Sequence, residues 1–166
     1  FFIADSHVRD NPSAGEIADM AILCAEHVKR FGMTAKIALL SHSDFGEADT
    51  PSALKMREAL ALIHQRAPGL EVDGEMQADT ALSQMIRDIV LPHSTLKGEA
   101  NVLIMPNLDA ANIAFQLTKI VADALPVGPI LLGPALPAHV VTGSVTARGI
   151  VNMTAIAVAE AQAQRR

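Results

Sequence analysis

Short apolar segments with strand character alternate with segments of helical periodicity along the whole chain. The strands predicted from this pattern are residues 1–4, 35–40, 70–72, 101–105 and 130–132. Alternation of this kind is typical of a parallel sheet whose strands are joined by crossover helices. At 166 residues the chain is long enough to bury a core without disulfides or metals. We therefore predict an α/β fold with a mostly parallel sheet.

The helices carry boundary and periodicity signals. Ser13 and Glu16 form a capping box, and Gly32 ends the helix that follows them. Thr50 is predicted to cap a second helix with Pro51 at its first position. Apolar residues recur at helical spacing in three further helices, at Leu82, Met85, Ile86 and Ile89, at Ile113, Leu117, Ile120, Val121 and Ala124, and from 148 to 162. The last helix is apolar nearly all round, so we expect neighbours on more than one side, some of them outside this chain.

Composition excludes several classes of function. Only 3% of the residues are aromatic and none is Tyr or Trp, which argues against an aromatic cage, a tyrosine acid and a base-stacking surface. The formal charge is -5 and the 13 Lys and Arg are scattered, which argues against a nucleic-acid partner. The longest uncharged stretch, 124–147, contains four Pro and three Gly, which excludes a membrane-spanning helix there.

The thiol and imidazole side chains form no metal-binding pattern. Cys24 is the single cysteine, which excludes an internal disulfide framework and fits a reducing, cytoplasmic location. The six His show no i, i+4 pairing, so no zinc site is predicted. His27 and Cys24 lie beside an apolar helical stripe, and both are predicted to be structural. Three Met at helical spacings are predicted to fill the core: Met20, Met85 and Met153.

Ser41-His42-Ser43 follows a predicted strand, which is where open α/β sheets bind ligands. A Ser nucleophile with a His base is conceivable there. However, adjacent residues on a turn seldom face each other, and the Gly-x-Ser-x-Gly elbow of hydrolases is absent. The pattern therefore favours a loop that binds a ligand by hydrogen bonds.

Three carboxylates lie close together in Asp73-Gly74-Glu75 and at Asp79. Such a group can supply a general acid and base or bind a hard cation, but the spacing does not match a calcium loop. We favour a strand-to-helix turn in which the carboxylates cap exposed N–H groups and complement the helix dipole. A turn of this kind can still line a cleft.

Gly128 and Gly133 bracket a short predicted strand, an arrangement that lets a backbone approach a phosphate or an adenine-bearing ligand. The segment lacks both the Lys-Ser/Thr of a P-loop and the Gly-x-Gly-x-x-Gly of a dinucleotide-binding fold. Taken alone, the two glycines are more typical of turns.

Taken together, these segments resemble the phosphate acetyltransferase/butyryltransferase family over essentially the whole chain. The matching residues are Ala4-Asp5, Asn11-Pro12, Leu40-Ser41 with Ser43, Lys55, Arg57-Glu58-Ala59, Asp73-Gly74-Glu75-Met76-Gln77-Ala78-Asp79, Gly98-Glu99-Ala100-Asn101, Pro106-Asn107-Leu108, Asn112-Ile113 and Gly128-Pro129-Ile130-Leu131. The segments 40–46, 105–114 and 150–155 resemble the version of the family that is fused to the C-terminus of NADP-dependent malic enzymes.

The resemblance implies a two-lobed, three-layer α/β/α fold related to isocitrate and isopropylmalate dehydrogenases. Residues 1–135 would form the second lobe, and residues 136–166 would form a segment and helix that return to the first. Because the chain begins Phe1-Phe2-Ile3-Ala4, we interpret it as a fragment whose first lobe precedes Phe1. In the family, acetyl phosphate and coenzyme A meet between the lobes, and second-lobe helices form a dimer.

The catalytic segment departs from the family pattern. Active members carry a Ser-Arg pair and an Asp seven residues beyond the Ser, and the corresponding residues here are Thr142, Gly143 and Gly149. Acetyl transfer needs a cation for the phosphoryl group and a base for a thiol whose usual pKa is about 8.5. The two glycines supply neither. Arg148 is able to pair with a ligand phosphate, although a surface Arg at a helix start explains it equally well.

The resemblance therefore implies a non-catalytic module that binds acetyl-CoA as an effector and helps to regulate and oligomerise a malic enzyme. That enzyme converts malate to pyruvate and CO2 with NADP and a divalent metal, both bound by another domain. The expected ligand-binding residues are Ser41, Ser43, Asn112, Gly128, Pro129, Gly133, Thr142 and Arg148. Two alternatives stay open: an active phosphate acetyltransferase whose missing groups come from elsewhere, and a dimerisation scaffold without a ligand.

Overall fold

Four parallel strands form one sheet in the computed structural model, which describes residues 1–143 and 145–163. The strands are β1 (Phe2–Ala4), β2 (Ile37–Leu40), β3 (Val72–Met76) and β4 (Val102–Ile104), in the order β1-β4-β2-β3. The helices are α1 (Ala14–Arg30), α2 (Pro51–Arg66), α3 (Ala78–Leu82), α4 (Gln84–Val90), α5 (Leu108–Val121) and α6 (Ala147–Ala163). The predicted α/β fold with a parallel sheet is confirmed.

Helices cover both faces of the sheet, so the two inner strands, β4 and β2, are buried along their whole length. Helices α1 and α2 pack against each other and contact β4 and β2 on one face. On the other face, Leu40 and Leu103 pack with Ala81 of α3 and Ala111 of α5. The result is the three-layer α/β/α arrangement.

The chain divides into two compact units. The first comprises Phe1–Gln116 and contains the sheet with its helices. The second begins at Leu117 and contains the residues that lead to helix α6. Helix α6 buries Met153 and leaves Val151 66% exposed. None of the helices in the described part of the chain combines the length and apolar character that a membrane span requires.

The predicted caps of α1 and α2 are present. The Ser13 hydroxyl accepts from the Glu16 N–H at 3.3 Å, and the Glu16 carboxylate accepts from the Ser13 N–H at 2.9 Å. These bonds from Ser13, together with nearby Arg9, lower the pKa of Glu16. The Thr50 hydroxyl accepts from the Ala53 N–H in the same way. The residues that begin α1 and α2 are therefore determined by contacts within the first turn of each helix.

The predictions for Cys24 and His27 are also confirmed. Both side chains are buried, and burial, followed by the nearby charge of Asp5, raises the pKa of the Cys24 thiol to about 12. The His27 ring lies 5.1 Å from the ring of Phe31, measured between centroids. A thiol that stays protonated has no nucleophilic role.

The segment Asp73-Gly74-Glu75 is a strand and not the predicted turn. Gly74 pairs with Leu39 of β2, and a Cβ at Gly74 would lie 2.7 Å from the Leu39 carbonyl oxygen. The glycine therefore permits close approach of two strands rather than a change of direction. The register shifts between Leu39 and Leu40, so Glu75 is the extra residue of a bulge.

The helix predicted around Leu82 and Ile89 is two short helices, because Ser83 ends α3 and caps α4 by accepting from the Ile86 N–H. Its apolar residues do not all face the core. Met85 is 74% exposed, so its predicted core position is wrong, whereas Met153 is buried as predicted. Apolar periodicity identifies one helical face but not what covers that face.

The prediction of a strand at residues 130–132 is wrong. The described pairings of the sheet involve β1 to β4 and not this segment. The Leu131 N–H instead donates to Nδ1 of His139 at 3.3 Å. A short apolar run becomes a strand only where a neighbouring strand supplies its hydrogen bonds.

Candidate functional site

The loops that follow the strands lie at the same edge of the sheet, because all four strands run parallel. After β1, the Asp5 carboxylate accepts hydrogen bonds from the N–H groups of His7, Val8 and Arg9 at 2.8–3.0 Å. After β2, the loop Ser41–Asp49 leads to α2. The carboxyl edge of a parallel sheet is the usual place for a ligand.

A buried carboxylate holds the β2 loop in place. Glu75 is fully buried, and its Oε1 accepts from the Ser43 hydroxyl at 2.9 Å and from the Gly46 N–H at 3.0 Å. Its Oε2 lies 3.6 Å from Nε of Arg57, within ion-pair distance but without the alignment of a hydrogen bond. Arg57 also donates to the Ala48 carbonyl at 2.9 Å. The loop is therefore fixed at both ends.

The other carboxylates near this loop are engaged as well. Asp73 accepts from the Ser94 hydroxyl at 2.6 Å, and Asp44 accepts from the Gln77 N–H at 2.8 Å. The prediction that Asp73 and Glu75 cap exposed N–H groups of a helix is wrong, because strand pairing buries both residues. Asp79 alone among the three lies in the first turn of a helix, α3.

Ser41 and Ser43 occupy different environments. Ser43 is buried and its hydroxyl donates to Glu75, whereas Ser41 is half-buried, and its Oγ accepts from the Ser43 N–H at 3.3 Å. Nδ1 of His42 lies 3.5 Å from the Ser41 Oγ, at the limit of a hydrogen bond. This geometry gives the Ser41 hydroxyl no firmly bonded base, and it suits a polar ligand loop.

Lys55 connects the loops after β1 and β4. Its Nζ donates to Oδ1 of Asn11 and to the carbonyl of Pro106, both at 2.7 Å. Partial burial lowers the pKa of Lys55. In the sequence, Lys55 and Arg57 stand out only as family matches, because their partners lie 8 to 51 positions away in the chain.

A cleft of about 280 Å³ opens beside the β1 loop and the start of α5. Its lining residues are Ser6, His7, Leu108, Asp109, Asn112 and Ile113. Asn112 donates to the Ser6 carbonyl at 3.2 Å, and Nδ1 of His7 lies 2.7 Å from the Ser6 hydroxyl. The structure thus places Asn112 among polar groups at the carboxyl edge of the sheet, together with Ser41 and Ser43 in the first unit.

The remaining expected ligand residues lie in the second unit. Gly128 has a φ of +148° and Gly133 a φ of +96°, conformations that favour glycine. Pro129 follows Gly128 in the same segment. Thr142 is exposed and its carbonyl accepts from the Val145 N–H at 3.0 Å, and Arg148 is exposed in the first turn of α6.

Gly149, which the resemblance matches to an Asp of active acyltransferases, is closely packed. A Cβ at Gly149 would lie 2.8 Å from Cγ2 of Val145 and 3.4 Å from the Thr146 hydroxyl. The Thr146 hydroxyl also accepts from the Gly149 N–H at 3.1 Å. A carboxylate side chain at position 149 would therefore require Val145 to move, whereas Gly143 has open space around its missing Cβ.

Within residues 1–143 and 145–163, no three His, Cys, Asp or Glu side chains are placed to hold a metal ion together.

Comparison with known proteins agrees with the resemblance that the sequence motifs indicate. The family model described as phosphate acetyl/butaryl transferase matches residues 1–158. The chain is 55% identical to an NAD-dependent malic enzyme of Rhizobium meliloti over 96% of its own length and 21% of that protein. It is 51% identical to an NADP-dependent malic enzyme of Escherichia coli over 98% of its length and 22% of that protein.

Acyltransferases also match. A phosphate acetyltransferase of Paracoccus denitrificans is 43% identical over 92% of this chain and 48% of that protein. A crystal structure of a phosphotransacetylase from Streptococcus pyogenes superposes with a TM-score of 0.92 at 32% identity, covering 96% of this chain and 49% of that one. The chain thus spans about a fifth of the malic enzymes and about half of the acyltransferases that it matches.

Proposed function

Since the chain belongs to the phosphate acetyl/butaryl transferase family, we propose that it is a phosphotransacetylase-like domain that binds acetyl-CoA without transferring the acetyl group. In this proposal, acetyl-CoA is an effector of a malic enzyme that converts malate to pyruvate and CO2. NADP and a divalent metal belong to a different domain of that enzyme. Residues 1–135 correspond to the second lobe of the family fold, and 136–166 return to the first.

The observation that carries the proposal is the loss of two catalytic side chains. Gly143 and Gly149 stand where active members have Arg and Asp, so this segment offers neither a cation for the phosphoryl group nor a base for the thiol. Val145 lies next to the space that a side chain at position 149 would need. The packing supports a segment adapted to the absence of the carboxylate.

Binding groups are retained although catalytic groups are lost. The positive φ values at Gly128 and Gly133 let backbone amides approach a phosphate or an adenine ring. Arg148 is an exposed cation in the first turn of α6, where it can meet the phosphates of coenzyme A. Ser41 and Asn112 offer a hydroxyl and an amide at the carboxyl edge of the sheet. Within the second unit, Gly128, Gly133 and Arg148 support recognition of a phosphorylated ligand, and within the first unit Ser41 and Asn112 support recognition of a polar one.

The proposal includes oligomerisation through the second lobe. On α4, Met85 is 74% and Ile89 is 78% exposed, and on α5 Ile113 is 59% exposed. Exposed apolar helix faces of this kind mark interaction surfaces. We place the protein in the cytoplasm, in keeping with its single free thiol.

The test uses the full-length protein that carries this chain. Acetyl-CoA at about 100 times its dissociation constant is expected to stabilise the protein by roughly 2.7 kcal/mol in a thermal shift assay. Malic enzyme activity is expected to change with acetyl-CoA concentration, and acetyl phosphate with coenzyme A is expected to yield no acetyl-CoA above background. Absence of both the thermal shift and the activity change at millimolar acetyl-CoA would leave only the dimerisation scaffold.

Thr142 gives the active acyltransferase its strongest support, because its exposed hydroxyl remains at the position of the family's Ser. If the full-length protein does form acetyl-CoA from acetyl phosphate, Thr142→Ala should lower that rate. Thr154→Ala, at an exposed position of α6 whose hydroxyl bonds within its own helix, serves as the comparison. An acetyl-transfer rate that responds to Thr142→Ala alone would replace the effector proposal.

A further inference from the structure

A buried ionisable pair lies in the second unit. The side chains of His139 and Glu160 are 4% and 8% exposed, and Nε2 of the imidazole lies 3.1 Å from Oε2 of the carboxylate. The contact is within ion-pair distance without the alignment of a hydrogen bond. Burying two such groups is costly unless they interact with each other or with neighbouring polar groups.

The hydrogen bond from Leu131 determines which nitrogen of His139 carries the proton. The Leu131 N–H donates to Nδ1 at 3.3 Å, so Nδ1 acts as an acceptor and bears no hydrogen. The proton of the neutral ring therefore sits on Nε2, which faces Glu160. The two ring nitrogens thus have separate roles, because one receives the Leu131 amide and the other contacts the carboxylate.

Three segments meet at this ring. Leu131 belongs to the segment Gly128–Gly133, His139 precedes Thr142 by three residues, and Glu160 lies on α6, which also carries Arg148. Residues 124–142 form no helix or strand, so no backbone ladder holds the segment. A side chain that bonds Leu131 and contacts α6 can supply that constraint instead.

We propose that His139 and Glu160 are a positioning pair that fixes the Gly128–Gly133 segment relative to helix α6, so that its backbone can receive acetyl-CoA. The inference rests on the proposed function, because it assigns the segment to the acetyl-CoA site. The pair touches neither the acetyl group nor a reacting atom. Its role is to hold the segment in the conformation that binds.

Two substitutions separate the two roles of the ring. In His139→Asn, the amide Oδ1 occupies the place of Nδ1 and can accept from Leu131, but the reach to Glu160 is lost. In His139→Gln, the amide Nε2 can still reach Glu160, but the acceptor for Leu131 is lost. Both variants carry a polar amide, so faster exchange of the Leu131 amide in His139→Gln alone reports on the Leu131 bond rather than on burial of a polar group.

The measurements are made on the full-length protein. Hydrogen exchange of the Leu131 amide, followed by mass spectrometry with residue-level fragmentation, is expected to accelerate roughly tenfold in His139→Gln and to stay near wild type in His139→Asn. The dissociation constant of acetyl-CoA, measured by calorimetry, is expected to rise about tenfold in both variants, because each loses one of the two contacts through which His139 holds the segment against α6.

Glu160 provides the second comparison. Glu160→Gln keeps a polar side chain of the same length beside Nε2 and should retain acetyl-CoA binding, whereas Glu160→Ala removes the contact with the ring and should weaken binding. Equal exchange of the Leu131 amide in His139→Asn and His139→Gln, or an unchanged dissociation constant in both variants, would overturn the positioning role. If wild-type protein binds no acetyl-CoA, the proposed function fails, and the exchange of Leu131 still decides whether His139 holds the segment.

Discussion

Glu75→Gln tests whether burial, rather than distance, determines how much an ion pair stabilises this protein. Arg57 has two carboxylate partners: Asp49 at 2.6 Å, whose side chain is 82% exposed, and Glu75 at 3.6 Å, whose side chain is fully buried. Distance alone would rank Asp49 first. We expect Glu75→Gln to be far more damaging than Asp49→Asn, because solvent screens the exposed pair.

The structure sets the magnitude. In Glu75→Gln, the hydrogen bonds from Ser43 and Gly46 pass from a charged to a neutral acceptor, and an amide N–H₂ turns towards the guanidinium of Arg57. Breaking a buried ion pair costs about 3–5 kcal/mol. Arg57 is 30% exposed and keeps its bond to Ala48, so we reduce the expected cost to about 2 kcal/mol. Asp49→Asn should cost less than about 0.5 kcal/mol.

Hydrogen exchange measures this difference locally. The Gly46 amide bonds to Glu75 and the Ala48 amide bonds to the Ser43 hydroxyl, so both report on opening of the loop. A cost of about 2 kcal/mol corresponds to roughly 30-fold faster exchange of these two amides in Glu75→Gln. Exchange in Asp49→Asn should stay within about twofold of wild type. Equal or greater acceleration in Asp49→Asn would refute the reasoning.

Three further perturbations follow from buried contacts. Gly74→Ala should destabilise the protein by about 3 kcal/mol in thermal unfolding, because its Cβ would lie 2.7 Å from the Leu39 carbonyl oxygen and its φ is +145°. Gly69 has open space around it, so Gly69→Ala should be nearly neutral. Comparable losses of stability in the two variants would contradict this prediction. Arg87 is fully buried and donates to the backbone carbonyls of Thr80, Ala81, Leu96 and Gly98, so Arg87→Leu should lower the free energy of unfolding by about 3 kcal/mol. Arg87→Lys should recover only part of that stability, because an ammonium lacks the planar geometry of the guanidinium. Full recovery in Arg87→Lys would show that the planar geometry is not needed. Since burial raises the pKa of Cys24 to about 12, the thiol should resist iodoacetamide at pH 8 in the native protein and react once the protein is unfolded. Rapid alkylation of the native protein would contradict burial of this thiol.

The sequence predicted part of the candidate site. The rule that ligands bind where parallel strands end identified the Ser41 loop, and the structure places that loop at the carboxyl edge of the sheet. The residues that hold it were not identified in the same way. Arg57 and Glu75 are 18 positions apart in the chain, and Glu75 reaches Ser43 across 32 positions. No local pattern links such partners.

The sequence by itself determined the features that depend on bonds within one or two turns. The capping box of Ser13 and Glu16 and the Thr50 cap fixed the starts of α1 and α2, because donor and acceptor lie three residues apart. Alternating apolar segments likewise determined the α/β class.

Only the tertiary structure decided which polar and apolar residues are buried. Asp73 and Glu75 became strand residues because Gly74 lets β3 lie against Leu39, and Met85 stayed exposed because no described element covers its face of α4. Residues 130–132 formed no strand because the Leu131 amide bonds to a side chain. Burial and strand pairing each depend on a partner brought from elsewhere in the chain, and that partner is specified by the fold as a whole.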